Sequence, residues 1–369
     1  MKKVAIIGTV GVPANYGGYE TLAENLLTYK KSEEIEYTVY CSSKSYSEKL
    51  TEYKGAKLKY VNLKANGWQA VLYDMTSIIR AWRKSDVIVS LGTVGCYILP
   101  MLKLFSPKKV VAVNLDGMDN KRAKWNGFSQ AFIGAARWCA IKFADIAIAD
   151  NKAIQDYLLE EFNRESELIE YGGDNAIRVE DDEKLITKYN LKRGEYCFKV
   201  ARIEPENNIA MILEAFSKLP NEILVLVGNW NKSEFGRSIR EKYASFKNIM
   251  TLDPIYQSEE INLLRGNCKL YIHGHSAGGT NPSLVEAMNL GLPIFAYDVV
   301  FNRFTTEDKA IYFGSADMLI NSIQGQNVES LKTIATDMSS IAKQRYTWSI
   351  ICKKYEAIIL NKSSQCQKN

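Results

Sequence analysis

The sequence predicts an α/β protein built from two doubly wound halves, each a parallel sheet covered by helices. Short apolar segments alternate with longer segments of mixed polarity along most of the 369 residues, which is the pattern of repeated βαβ units. Glycine-containing loops follow several apolar segments, at the strand ends where open α/β sheets bind ligands. Tyr171-Gly-Gly-Asp174 and the acidic run Glu180-Asp-Asp-Glu183 interrupt the alternation, and we interpret them as a linker between the halves.

The predicted elements follow one another closely in both halves. In the first half the strands are Val4–Ile7, Glu36–Cys41, Leu58–Val61, Asp86–Ser90, Lys109–Asn114 and Ile146–Ala149, and the helices are Tyr19–Tyr29, Trp68–Trp82, Trp125–Phe143 and Ala153–Glu161. In the second half the strands are Tyr196–Val200, Glu222–Val227, Ile249–Leu252, Leu270–Ile272 and Ile294–Tyr297, and the helices are Ile209–Leu219, Glu259–Arg265, Ser283–Leu290 and a closing helix at Thr347–Leu360. Short, continuously apolar strands of this kind are typical of parallel sheets that are buried on both faces.

Composition excludes several classes of protein. With 46% hydrophobic and 24% charged residues, the chain is globular and neither disordered nor fibrous. Its net charge of +5 suits anionic substrates or an anionic membrane surface but is too small to indicate a nucleic-acid partner. The seven cysteines form no CxxC pair, so we expect reduced thiols. No signal peptide and no apolar run long enough to span a membrane occurs, so we expect a cytoplasmic protein.

The most informative motif is the segment from His273 to Ile294. It follows a predicted strand, opens into the turn Gly278-Gly-Thr-Asn281 and continues as the helix Ser283–Leu290. A glycine turn between strand and helix exposes backbone N–H groups at the positive end of the helix dipole, where phosphates bind. Glu286 lies one turn inside that helix and can reach past the phosphates toward a ribose. The motif therefore predicts a nucleotide-sugar site.

Two segments of the second half resemble retaining GT-B glycosyltransferases of family four. They are Val285-Glu-Ala-Met-Asn-Leu-Gly-Leu-Pro-Ile294 and Ala201-Arg-Ile-Glu-Pro-Glu-Asn-Asn208. In the first half, the loop from Gly8 to Glu20 and Arg122-Ala-Lys-Trp125 resemble a bacterial subgroup that includes β-1,4-rhamnosyltransferases using dTDP-L-rhamnose.

This resemblance implies a GT-B fold, with two Rossmann-like domains facing a central cleft. Residues 1–172 would form the acceptor-side domain and residues 173–345 the nucleotide-sugar domain. Residues 346–369 would form a helix that packs back toward the N-terminal domain.

The donor site implied by the motif and the resemblance draws on both halves. Its residues are Gly17, Gly18, Arg202, Asn207, Asn208, His275, Gly278, Gly279, Thr280, Asn281 and Glu286. Arg202 would hold the diphosphate, although it could also be a surface arginine, and Gly17-Gly18 could equally be a simple tight turn.

Two positions depart from the family pattern. The family pairs two glutamates eight positions apart, but Gly278 stands eight positions before Glu286. Asn207 or Asn208 stands where a lysine would neutralise the diphosphate. Loss of the first glutamate suits a 6-deoxy sugar, which offers fewer hydroxyls.

The two histidines of the chain, His273 and His275, lie at the end of a predicted strand. We expect them to point to opposite faces, so that one is structural and His275 lines the cleft. Metal ligation is not expected because no third ligand lies nearby, and no DxD-type pair follows a strand. We therefore expect neither a metal nor a cofactor.

Asp116 follows the predicted strand Lys109–Asn114 and is the candidate catalytic residue, with a helix or turn cap as the alternative. Asp150-Asn151 ends the next strand and is interpreted as a helix N-cap.

The segment from Lys121 to Phe143 is basic, aromatic and amphipathic, which suits an interfacial helix although its apolar face could also pack on the sheet. We expect Lys121, Arg122, Lys124 and Trp125 to face the acceptor or the membrane. Leu99–Lys109 adds a second basic and apolar patch. We expect a lipid-linked saccharide acceptor and peripheral contact with an anionic membrane.

The predicted function is retaining transfer of L-rhamnose from dTDP-L-rhamnose to a lipid-linked saccharide in the synthesis of a bacterial surface polysaccharide. A transferase using a UDP- or GDP-hexose, or a sugar-nucleotide epimerase of the same fold, is the alternative. An NAD-dependent oxidoreductase is weakly supported, because the first glycine loop is not GxGxxG and no acidic residue ends the second strand.

Overall fold

A computed structural model describes residues 1–14, 17–115 and 127–365, and it describes only the backbone of residues 127–130 and 362–365. The chain divides into two compact units. The first comprises Met1–Tyr171 together with Trp348–Asn369, and the second comprises Gly172–Thr347. Each unit contains one sheet flanked by helices, so each is a doubly wound α/β unit by itself.

The helices and strands are numbered in chain order. The first unit begins with β1 (Lys2–Ile7), α1 (Gly18–Thr28), β2 (Ile35–Ser42), β3 (Glu52–Tyr53), β4 (Ala56–Val61), α2 (Gln69–Trp82), β5 (Val87–Ser90), a 3-10 helix (Val94–Ile98), α3 (Leu99–Phe105), β6 (Val110–Asn114), α4 (Gly127–Phe143), β7 (Ile146–Ala149), α5 (Lys152–Phe162) and β8 (Glu167–Leu168). The second unit contains α6 (Asp182–Tyr189), β9 (Tyr196–Val200), α7 (Ile209–Ser217), β10 (Ile223–Val227), α8 (Glu234–Lys242), β11 (Ile249–Leu252), α9 (Ser258–Gly266), β12 (Leu270–His273), α10 (Pro282–Asn289), β13 (Ile294–Tyr297), α11 (Val300–Thr306), β14 (Ile311–Phe313), α12 (Ala316–Gln324) and α13 (Val328–Arg345). The closing helix, α14 (Trp348–Gln365), belongs to the first unit.

Both sheets reverse their strand order in the middle. The first sheet runs β3-β4-β2-β1-β5-β6-β7-β8 and is parallel apart from the β3–β4 pair, whereas the second runs β11-β10-β9-β12-β13-β14 and is parallel throughout. The chain winds outward from β1 and then from β5 in the first unit, and from β9 and then from β12 in the second. The crevice at such a reversal is where open α/β sheets bind ligands.

The strands form as predicted because their side chains are buried on both faces. Every residue of β5, β6, β7 and β12 is buried, which explains why these segments are continuously apolar or nearly so. In the second unit Ile212 and Phe216 of α7 pack with Leu224 and Leu226 of β10 to form one face of the core. The apolar pattern therefore locates the sheets.

Some sequence expectations are wrong in detail. The acidic run Glu180–Glu183 is not a linker: the Asp181 side chain accepts a hydrogen bond from Lys184 N at 2.8 Å and caps α6. Asp182 and Glu183 then occupy the first helical turn, where carboxylates are favoured by the helix dipole. The predicted loop Leu91–Gly95 is partly the 3-10 helix, which leads directly into α3.

Helix α14 is attached within the first unit by buried and charged contacts. Trp348 and Ile351 are fully buried. Lys354 Nζ lies 2.8 Å from Glu170 Oε2, and Cys352 Sγ lies 3.3 Å from Asn25 O. No helix within the described ranges is long and apolar enough to cross a membrane.

Candidate active site

The strand reversal of the second unit lies between β9 and β12, which are neighbours in the sheet. The chain leaves β9 toward β10 and leaves β12 toward β13, so the loops that follow these strands diverge around a crevice. These loops comprise residues 201–208 and 274–281, which contain most of the predicted donor-site residues of this unit.

Hydrogen bonds join the two loops into one structure. Ser276 donates from both its N–H and its Oγ to Glu206 O, each at 2.9 Å. Asn208 Nδ2 donates to Gly274 O at 2.8 Å. Position 274 must be glycine, because a Cβ there would lie 2.5 Å from Asn207 O. The loops are therefore preorganised by their own backbone contacts.

The amides of both predicted asparagines are already engaged. Asn207 is 1% exposed, and its Nδ2 donates to Arg202 O at 2.7 Å. Asn208 has a left-handed backbone (φ 52°) at the start of α7 and is bonded to Gly274 O. Asparagine tolerates this backbone conformation better than most residues. The structure thus gives both asparagines a role in positioning the loops, and direct contact with a donor stays a prediction for them.

The glycine turn presents backbone donors in front of α10. Gly278 has φ 126°, a conformation that favours glycine, and a Cβ at this position would meet open space. Within the described part of the chain, the N–H groups of Gly278 and Gly279 donate to no protein acceptor. Thr280 is buried beside them. Free N–H groups before a helix N-terminus are what an anion requires.

Asn281 caps the helix that follows. Its Oδ1 accepts from Ser283 N at 3.0 Å and from Ser283 Oγ at 2.7 Å. Pro282 occupies the first helical position, where a missing N–H costs nothing. Capping of α10 is therefore sufficient to account for an asparagine at position 281, and its contact with a donor stays a prediction.

Glu286 is held by two residues that the sequence analysis missed. Arg265 Nη1 forms an ion pair with Glu286 Oε2, and Asn175 Nδ2 donates to Glu286 Oε1 at 2.8 Å. The side chains of Arg265 and Glu286 are 4% and 17% exposed. Arg265 stands at the end of the apolar part of α9. A charged side chain that is buried there needs a partner, and this position was the signal of an ion pair that the sequence offered.

The expectation that His273 and His275 point to opposite faces is wrong. Residues i and i+2 of an extended segment lie on the same face. The two rings stack, with centroids 4.4 Å apart and 13° between their planes. His273 is fully buried, and its pKa is held well below the usual value by burial and by the nearby Lys199 amine. His275 is only partly buried and lies nearer the glycine turn along the chain.

Arg202 remains accessible at the other side of the crevice. Its side chain is 40% exposed, and Nη1 lies 3.8 Å from Glu204 Oε2. This separation leaves a loose ion pair that an anion could replace. Arg202 and the glycine turn lie on two loops that Ser276 and Asn208 join.

Of the two glycines predicted in the first unit, Gly17 has a clear structural reason. A Cβ on Gly17 would lie 1.9 Å from Glu20 Oε2, because the Glu20 carboxylate folds back over the start of α1. Glu20 accepts from Val10 N at 2.7 Å and from Thr9 Oγ1 at 3.1 Å. Glycine at position 17 therefore leaves room for the Glu20 carboxylate, and a role of Gly17 and Gly18 in donor binding stays a prediction.

Several predicted residues lie outside the described residues. They are Asp116, Lys121, Arg122, Lys124 and Trp125. Asn151 is confirmed as a helix cap, since its Oδ1 accepts from Ala153 N at 3.0 Å. Over the part of the chain that is described, no group of three His, Cys, Asp or Glu residues could hold a metal ion.

Comparison with known families assigns the second unit. Residues 181–323 match the family described as glycosyl transferases group 1, and residues 1–174 match a domain of unknown function named DUF1972. The second unit therefore contains a glycosyl transferases group 1 domain.

A curated relative and two solved structures match the chain over nearly its whole length. The chain is 23% identical to an uncharacterized glycosyltransferase of Methanocaldococcus jannaschii, over 97% of this chain and 98% of that protein. Among solved structures it is similar to sucrose-phosphate synthase from Thermosynechococcus elongatus, with a TM-score of 0.81, 14% identity, and coverage of 99% of this chain and 100% of that one. It is also similar to Anabaena HepE in complex with UDP and glucose, with a TM-score of 0.76, 17% identity, and coverage of 98% and 100%. The GT-B fold predicted from the sequence is confirmed.

Proposed function

We propose that this glycosyltransferase moves a sugar, with retention at the anomeric carbon, from a nucleoside-diphosphate donor to a lipid-linked saccharide acceptor. The observation that carries the proposal is the glycine turn, whose N–H groups at Gly278 and Gly279 have no acceptor among the described residues and lie directly before α10. A donor diphosphate would accept these hydrogen bonds and benefit from the positive end of the helix. Anabaena HepE, of the same fold, was solved with UDP and glucose bound.

Arg202 would supply the charge opposite the glycine turn. Its guanidinium is exposed and only loosely paired, so it can form two parallel hydrogen bonds to the diphosphate. As the bond between sugar and phosphate breaks, negative charge develops on the leaving diphosphate. Arg202 and the turn amides would stabilise that charge from fixed positions, which lowers the barrier.

Glu286 would bind the ribose of the nucleotide. Arg265 and Asn175 each occupy one position on its two oxygens and fix its orientation. A carboxylate has about four acceptor positions, so lone pairs remain for ribose hydroxyls. We base this placement on the position of Glu286 in α10 and on the orientation that Arg265 and Asn175 give its carboxylate.

Retention follows from attack of the acceptor hydroxyl on the face that the diphosphate leaves. A leaving phosphate oxygen, or Asp116, would take the hydroxyl proton. The donor we favour is dTDP-L-rhamnose, because glycine at position 278 leaves out a carboxylate that would grip sugar hydroxyls. The reaction would serve the synthesis of a bacterial surface polysaccharide.

An exposed apolar surface on α3 and α4 supports contact with an anionic membrane, where a lipid-linked acceptor resides. Its members are Met101, Leu104, Phe105, Phe132 and Trp138. Leu104 and Phe105 are 79% and 76% exposed, and exposed Lys108 and Lys142 lie on the same elements or directly after them. Aromatic and aliphatic groups flanked by lysines suit a peripheral membrane site.

The decisive experiment incubates the enzyme with dTDP-L-rhamnose, UDP-glucose or GDP-mannose, with and without a polyprenyl-diphosphate saccharide. A transferase releases nucleoside diphosphate chiefly when the acceptor is present, whereas an epimerase isomerises the donor alone. A change in nicotinamide absorbance with added NAD would instead indicate an oxidoreductase. The melting temperature measured with each of these nucleotide sugars identifies the donor, because a ligand that binds only the native state raises its stability. Isomerisation without acceptor would contradict the proposal.

A further inference from the structure

A lysine lies buried beneath the crevice with no partner among the described residues. Lys199, in β9, is 0% exposed. Within those residues its Nζ has neither a hydrogen-bond acceptor nor an ion pair. Burial lowers the pKa of this amine to about 7. An unpaired buried ammonium is costly, so a lysine in this place calls for a function that uses its charge.

The amine points to the junction of the two ligand loops. A Cβ on Gly274 would lie 3.0 Å from Lys199 Nζ and 2.5 Å from Asn207 O. The same Cβ would lie 2.7 Å from Ile212 Cδ1, so the amine sits between an apolar side chain of α7 and the loop backbone. Lys199 therefore lies directly below the segment that precedes the glycine turn.

Among the described residues, the charged groups on the neighbouring strands and loops form no hydrogen bond with the Lys199 amine. Arg202, Glu204, Glu206, His273 and His275 lie on the two loops and strands. Arg202 is the ion-pair partner of Glu204. The Lys199 amine contributes to lowering the pKa of His273.

The outer elements supply no counter-charge either. Glu214 of α7 is exposed and paired with Lys218, and Glu286 of α10 is paired with Arg265. Among the described residues, no anion pairs with Lys199 or His273 in the interior below the crevice.

We propose that Lys199 is the counter-charge of the donor diphosphate, and that it takes up a proton when a nucleoside diphosphate binds to the loops above it. This inference rests on the proposed function. It accounts for the asparagines at positions 207 and 208, where the family pattern has a lysine, because the missing charge would come from the strand below. Lys199 acts through the loop backbone and is a positioning residue.

The pH dependence follows from the direction of the linkage. The free amine has a pKa of about 7, and a bound diphosphate raises the pKa because it stabilises the ammonium. Below pH 7 the amine is already charged, so binding takes up little proton there. Between the free and bound pKa values binding takes up as much as one proton, and affinity falls as the pH rises. If the bound pKa is about one unit higher, affinity falls about fivefold between pH 7 and pH 9.

Calorimetric titration of the full chain with UDP, dTDP and GDP at pH 8, in buffers of different ionisation enthalpy, measures the proton uptake. At this pH the terminal phosphate of the nucleotide, with a pKa of about 6, is already ionised. Wild type should take up a measurable fraction of a proton. Lys199→Met should take up none, and its affinity should be nearly constant from pH 7 to pH 9.

Three variants keep the test specific. Lys269→Met removes a lysine of the same unit whose Nζ is bonded to both Glu222 oxygens at 2.9 Å, and it should keep the wild-type uptake. His273→Phe keeps a stacked ring and should also keep the uptake. Lys199→Gln replaces the Met variant if that protein does not fold.

Equal uptake by wild type and the Lys199 variants would overturn the inference, as would loss of the uptake in His273→Phe. If wild type binds none of the three nucleotides, the proposed function fails and this inference fails with it. Nucleotide binding with no proton uptake in any variant would overturn the role of Lys199 alone.

Discussion

Replacing Glu286 by glutamine tests the ribose contact and the structural ion pair together. Glutamine keeps the shape and one acceptor oxygen but loses the charge that Arg265 meets. The side chains of Arg265 and Glu286 are 4% and 17% exposed, so little water can replace the lost partner. Removal of one member of a buried pair costs about 3–5 kcal/mol, and the retained acceptor reduces this to about 1–3 kcal/mol. We expect the melting temperature to fall by roughly 2–4 °C for each kcal/mol.

The same substitution should weaken nucleotide binding. An unpaired ribose hydroxyl costs about 1–3 kcal/mol, which corresponds to about 5- to 150-fold in dissociation constant. Calorimetric titration with the nucleotide, well below the melting temperature, measures this loss separately from the loss of stability.

Arg265→Lys is the matched control for Glu286→Gln, because it weakens the ion pair but leaves the carboxylate in place. This variant should lose stability and keep most of the affinity. If Glu286→Gln is destabilised but binds nucleotide within about twofold of wild type, Glu286 serves only as the partner of Arg265. The ribose assignment would then be refuted.

Three further predictions address the diphosphate, the turn and the acceptor side. Arg202→Lys should lower the transfer rate about tenfold or more although the charge is kept, because an ammonium cannot form the bidentate contact with the diphosphate. Steady-state kinetics measure the rate, and a wild-type rate would show that the diphosphate is held by other residues. Gly278→Ala should weaken nucleotide binding measurably, because φ 126° strains an alanine and the turn must shift; unchanged affinity in a calorimetric titration would show that the turn N–H groups are not used. Replacing Lys121, Arg122 and Lys124 by glutamine should weaken binding to anionic liposomes by about 1 kcal/mol per residue and leave nucleotide affinity unchanged, and the loss should fade in high salt. Liposome sedimentation measures this binding. Normal sedimentation and normal use of the lipid acceptor would refute the membrane role.

The sequence alone located the sheets and the crevice of the second unit. Continuous apolar runs such as Ile146–Ala149 and Ile294–Tyr297 were predicted with the bounds that the structure has, because a strand buried on both faces tolerates few polar residues. The turn before α10 was equally visible, since glycines between a strand and a helix are typical of a loop that exposes backbone N–H groups. These are local features, and local pattern is sufficient to predict them.

Contacts between residues distant in sequence were decided by the tertiary structure. The acidic run at Glu180–Glu183 has the composition of a linker, and only the hydrogen bond from Lys184 N to Asp181 shows that it starts a helix. Arg265 and Asn175 could not be paired with Glu286, because 21 and 111 residues separate them along the chain.

The buried Lys199 shows most clearly where the sequence stopped being informative. Within Tyr196–Val200 it is one charged residue in an apolar run, and the sequence does not show whether its amine reaches solvent. The register of β9 against β12 and the packing of α7 decide that it does not, and they direct the amine toward Gly274. Apolar pattern specifies which segments are buried, whereas the environment of a single polar group depends on every element that surrounds it.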